Sequence, residues 1–74
     1  MNEVFVKKYW PEEDIMFLIH FKNDEAIRQI EITSKGKTLI TLEEDSTLCD
    51  QPLSHLDINK DDYIDRQEFE EMWI

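Results

Sequence analysis

The amino-acid sequence predicts an α+β domain, a four-stranded antiparallel β-meander with one short C-terminal α-helix packed on the sheet. Three observations lead there. β-Branched and aromatic residues recur between turn signals through residue 42, a strand pattern rather than a helical one. The links between those segments are too short for parallel crossovers, so neighbouring strands should run antiparallel. From Asp65 the period changes: Phe69, Met72 and Trp73 fall at i, i+3 and i+4 among glutamates, the stripe of an amphipathic helix.

The strands are expected near Glu3 to Trp10, Ile15 to Phe21, Ala26 to Thr33 and Lys37 to Leu42, with turns at Pro11-Glu12-Glu13-Asp14, Lys22-Asn23-Asp24-Glu25 and Ser34-Lys35-Gly36. Adjacent residues of a strand point to opposite faces, so one of Tyr9 and Trp10 should be core and the other an exposed anchor. In the third strand Ala26, Arg28, Ile30 and Ile32 alternate with Ile27, Gln29, Glu31 and Thr33. Only Ile27 is large and apolar in the second set, so one face of the sheet should be wet. Gly36, the single glycine, stands where the third hairpin needs a left-handed backbone, a conformational reason that requires no functional one. Residues 43–64 read as an acidic connector and loop, in which Pro52 suits the first turn of a short helix and Leu53 and Leu56 are placed to cover the sheet. The terminal helix, 65–74, is too short to persist alone in water, so its stripe must dock, most simply on the sheet.

With 74 residues, 41% of them hydrophobic, the whole chain 1–74 makes one domain. Ordering it costs on the order of 1.5 kcal/mol per residue, so most of its aromatic side chains must be buried. The longest apolar run, Ile15 to Ile19, is far short of the roughly twenty residues of a membrane helix, and Met1-Asn2-Glu3 does not resemble the basic start of a signal peptide. One cysteine, Cys49, has no internal disulfide partner. A soluble chain in a reducing cytoplasm is the expectation.

The net charge of −10 is unevenly placed: residues 1–42 hold seven acids and six bases, residues 43–74 eleven acids and two bases. That C-terminal half would be repelled by phosphate backbones and anionic lipid, which argues against nucleic-acid and membrane binding. It fits a cationic partner, either a metal ion held by several carboxylates or a basic protein surface.

The one stretch with metal chemistry is Asp57-Ile58-Asn59-Lys60-Asp61-Asp62-Tyr63-Ile64-Asp65-Arg66-Gln67-Glu68. Its spacing resembles the calcium loop of the EF-hand family. The resemblance covers residues 53–73 and implies Ca2+ ligands from Asp57, Asn59, Asp61, the Tyr63 carbonyl, Asp65 and Glu68. Calcium seeks six to eight hard oxygens, and alternate residues of a tight loop aim theirs at one centre. Three features depart from the family. Asp62 replaces the usual glycine at position six, Pro52 shortens the entering helix, and residues 1–56 hold no second loop to pair with Ile64 at position eight. Helix capping explains much of the same stretch: Asp65 is a good N-cap, Glu68 three residues later suits a capping box, and Ile64 with Phe69 suits a hydrophobic staple.

A second resemblance rests on Val6-Lys7-Lys8-Tyr9-Trp10, on Arg28-Gln29-Ile30-Glu31-Ile32 followed by Gly36, and on Glu68-Phe69-Glu70-Glu71-Met72-Trp73. Together these look like a family of small, uncharacterised bacterial proteins that open with a tryptophan-bearing strand and end with a helix. Such acidic proteins resemble the immunity proteins of bacterial toxin systems, which are noncatalytic and mask the basic active site of a nuclease. Catalysis has little support. His20 and His55 share no metal-ligand spacing, Cys49 stands in no nucleophile constellation, and carboxylate pairs such as Glu12-Glu13 and Glu43-Glu44 belong to solvated turns; a strand histidine such as His20 is more often a surface or satisfied core residue. The expectation is therefore a noncatalytic acidic binding protein, an inhibitor of a basic toxin. Its contacts would be Asp57, Asp61, Asp62, Asp65, Glu70 and Glu71, with Tyr9 and Trp10 as anchors; an EF-hand-like Ca2+-binding module is the alternative.

Overall fold

The computed structural model describes residues 3–41, 54, 56 and 58–73. Strands β1 (Glu3–Trp10), β2 (Ile15–Lys22), β3 (Glu25–Thr33) and β4 (Gly36–Thr41) form the expected antiparallel meander. A fifth strand, β5 (Tyr63–Ile64), adds to the free edge of β1, giving the order β4-β3-β2-β1-β5. Among the described residues, five strands thus replace the expected four. Two residues are too few to show alternation, so β5 has no periodic signature of its own.

The turn chemistry follows the side chains. Asn23 and Asp24 both adopt positive φ, 54° and 71°, the sign pattern of the two-residue type I′ link that matches strand twist. Asp14 closes the first turn at φ 54°, and Gly36 re-enters β4 at φ 134°. Asparagine and aspartate tolerate left-handed backbone better than other residues bearing a side chain, and glycine adopts it freely.

β3 departs from simple alternation. His20 pairs with Arg28 but Phe21 pairs with Ala26, so Ile27 is an extra residue, a β-bulge. Below the bulge the faces exchange. Ala26 therefore leaves the set of Arg28, Ile30 and Ile32 and packs with Val6, Ile19 and Phe21 on the opposite face.

The expected wet face does not exist as such. One face buries Phe5, Leu18 and Ile30 beneath Phe69 of the helix. The other buries Val6, Ile19, Phe21 and Ala26, with Leu56 and Ile58 packed over them. Gln29, on that second face, is 2% exposed. The reason lies in β2, whose central Met16 to Ile19 run is apolar on both sides of the strand, the composition of a strand buried twice. Leu56 covers the sheet as expected, while Pro52 and Leu53 lie outside the described residues.

Helix α1 (Arg66–Met72) starts at the expected cap: the Asp65 carboxylate accepts from the Glu68 backbone N–H at 2.8 Å. The carboxylate of Glu68 reaches across to Lys7 Nζ at 2.9 Å. Ile64 joins the cluster that contains Phe69, as the staple requires. The helix occupies less than the expected 65–74: Trp73 ends it as C-cap, and its ring lies 5.9 Å from that of Phe69.

Candidate interaction surface

On the helix-side face, the register aligns residues into rows across the strands. Phe5, His20 and Arg28 form one row, Lys7, Leu18, Ile30 and Leu39 the next, and Tyr9, Met16, Ile32 and Lys37 the last. α1 lies over the first row. There Glu3, His20, Arg28, Glu70 and Arg66 close a ring of polar contacts. His20 Nε2 is 2.8 Å from Glu3 Oε1, and Arg28 Nε donates to His20 Nδ1 at 3.0 Å. Arg28 then grips Glu70 with both terminal nitrogens at 3.1 and 2.7 Å. Arg66 returns to Glu3 at 2.8 Å and lies 3.8 Å from Glu70.

This ring fixes the state of His20. An arginine Nε–H can only donate, so Nδ1 must present a lone pair and the single ring proton sits on Nε2, donated to Glu3. The imidazole is 4% exposed and its centroid lies 4.3 Å from that of Phe5. Burial depresses its pKa below the usual value, with the charge of Arg28 adding to that shift and Glu3 opposing it. Glu3 and Glu70 are held below the ordinary carboxylate range, chiefly by hydrogen bonds from Arg66 and Arg28 respectively. Two guanidiniums, two carboxylates and a neutral ring balance one another. Arg28 also sits 4.8 Å from the ring centroid of Phe69 and 4.9 Å from that of Trp73, and Arg66 lies 5.0 Å from that of Phe5, favourable cation–π separations. Each of the five side chains finds its partners within the ring, so the ring's chemistry is that of a clasp holding α1 to β1, β2 and β3. Of the two roles expected for His20, surface or satisfied core, it takes the second. Glu3 and Arg28 carry no signal of this role in the sequence, because only the strand register brings side chains so far apart along the chain to either side of His20.

The calcium-loop residues take other local partners. Lys60–Asp62 form one 3₁₀ turn. Asp62 accepts from the Asn59 backbone N–H at 2.9 Å and lies 3.4 Å from Lys8 Nζ; these contacts lower its pKa, the backbone N–H more than the lysine. Asp62 lacks the positive φ that position six requires in the family, since the described non-glycine residues with positive φ are Asp14, Asn23 and Asp24. Asp65 caps α1 and Glu68 pairs with Lys7. Asp61 is exposed, as is Tyr63 at 49%. Among the described residues no three His, Cys, Asp or Glu side chains are grouped to hold a metal. Asp57 lies outside the described residues. Ile64, position eight of the compared loop, lies in β5 and pairs with Phe5 of β1.

Of the expected partner-binding residues, Asp62 and Glu70 are engaged within the chain, as above. Glu71 is exposed, with Gln67 Nε2 3.4 Å from its carboxylate. Neither Tyr9 nor Trp10 is core, as one of them was expected to be; they are 48% and 47% exposed. They sit at the far end of β1, beyond the reach of the seven-residue helix on one face. Both are held in place. The Tyr9 hydroxyl donates to Asp14 Oδ1, and the Trp10 ring meets Phe17 edge-on at 6.1 Å. The exposed turn residues Glu12, Glu13 and Asp14 adjoin them, so two braced aromatics stand beside three acids. Cys49 and His55 lie outside the described residues.

Compared with known proteins, the chain matches no family model, no curated protein and no solved structure. Among the described residues no helix is long and apolar enough to cross a membrane.

Proposed function

We propose that the chain is a noncatalytic binding protein that docks on a basic protein surface, such as the active-site face of a toxin nuclease, and masks it. The observation that carries this reading is that Tyr9 and Trp10, each about half exposed and on opposite faces of the end of β1, flank the exposed acids Glu12, Glu13 and Asp14 in a chain of net charge −10. Braced aromatics cost little side-chain entropy on binding and serve as anchors, while the net charge steers a cationic partner from a distance. A reducing cytoplasm suits a chain with one cysteine.

The test is the association rate with basic proteins, measured against ionic strength. The rate should fall steeply between low salt and about 0.15 M, where screening shortens the reach of charge to about 8 Å. Salt-insensitive association with every basic protein tried counts against the reading.

The alternative, a calcium-binding module on Asp57, Asn59, Asp61, Tyr63, Asp65 and Glu68, draws support from the pairing of Ile64 with β1. An ion there must displace Lys7 from Glu68. Calcium titration with magnesium as control tests it, and a saturable response should disappear in both Asp57→Ala and Glu68→Ala. Glu68→Ala leaves the backbone N–H that Asp65 caps in place.

A further inference from the structure

α1 leaves part of its sheet face uncovered. Beside it runs a cleft of about 610 Å³ with Met16, Leu18, Ile32 and Met72 among its lining residues. Asp65, Glu68 and Glu71 line its helix side, and the one cation among the lining residues is Lys7, held by Glu68. The rim is therefore net negative over an apolar floor. Tyr9 pairs directly with the lining residue Met16 across β1 and β2.

We infer that this cleft receives a cationic segment of the partner in which an apolar side chain is flanked by lysine or arginine. The apolar group fills the floor of Met16, Ile32 and Met72, and the flanking cations meet Asp65 and Glu71. Charge selects this occupant over the others. A second copy of the chain brings a net charge of −10, and the chain's own residues 42–53 carry four acids and no lysine or arginine; both have the wrong sign for this rim. The floor adds what charge alone lacks, a preference among cations for those with an apolar neighbour. This inference rests on the reading that the partner is basic.

Two labelled synthetic peptides of equal length and charge separate the inference from that reading. One contains lysine and serine only; the other replaces serines by leucines at helical spacing. The wild-type chain should bind the leucine peptide about tenfold more tightly or better, the gain from burying one apolar side chain. Amide shifts should move at Lys7, Met16, Ile32, Glu68 and Met72, a readout that needs no variant. Met16→Gln, similar in size but polar, should erase the leucine preference and leave the lysine–serine peptide unaffected, whereas Glu71→Lys should weaken both; thermal midpoints check that each variant is folded. Equal affinity for the two peptides, or shifts confined to the opposite sheet face, overturns the cleft but spares the basic-partner reading. Binding of neither peptide at low salt overturns both. A wild-type dimer with its interface in the cleft assigns the site to a second copy and overturns the inference as well.

Discussion

His20 links chemistry to stability at the scale of a single residue. Its neutral ring accepts from Arg28 and donates to Glu3, and adding a proton turns Nδ1 into a second donor facing a donor. The charges around it are Glu3 from β1, Arg28 from β3, and Arg66 and Glu70 from α1. Because the folded pKa lies below the ordinary imidazole value of 6.5, the unfolded chain binds more protons between the two values. Stability is then complete above about pH 6.5 and falls as pH drops through that window. Glu3 and Glu70, also depressed, remove further stability at lower pH, in the carboxylate range below about 4.5. Urea denaturation across pH should show the first decline in the wild type and a much smaller one in His20→Gln. A wild-type profile flat from pH 7 to about pH 5 would falsify this account of the ring.

At the scale of elements, α1 has seven residues, fewer than a helix needs to persist by itself. It exists because Asp65 caps it, Phe69 is fully buried and the clasp holds Glu70 and Arg66. Asp65→Ala should cost about 1 kcal/mol, and Asp65→Asn should restore most of it, since asparagine caps as well as aspartate. Loss of equal size in both would assign the effect to charge rather than to the cap. A strand end gives a complementary case. Nothing lies within 4 Å of a Cβ placed on Gly36, yet its φ is 134°, so Gly36→Ala should destabilise through the backbone alone, by about 1 kcal/mol or more. Both costs are read from denaturation midpoints. The N-cap of the helix and the glycine of the third turn were legible because caps and left-handed turns are local chemistry; the end of the helix at Trp73 was not. β5 was not, since its two residues gain their conformation from the edge of β1.

Across the whole molecule, charge and burial compete. Lys7, Lys8, Arg28 and Arg66 each pair with an acid from a distant part of the chain, but 18 acids outnumber 8 lysines and arginines and leave a net charge of −10. Repulsion among them opposes the compact state, and salt screens it. At neutral pH the thermal midpoint should therefore rise with moderate sodium chloride, while the association rate with a basic partner falls. A midpoint that falls with salt would mean that the ion pairs outweigh the repulsion.

The sequence by itself determined the four long strands, the hairpin turns, the capped terminal helix and the acidic surplus. Each of these is set within a few residues, by alternation, by φ preference or by simple count. Tertiary structure decided what depends on residues distant along the chain. Pairing His20 with Arg28 in one row, and bringing Glu70 and Arg66 over it, made the clasp. The bulge at Ile27 moved Ala26 to the other face. Leu56 and Ile58 covered a face that β3 alone marked as wet, because burial belongs to a surface and its cover together, and one strand's pattern records only its own side chains.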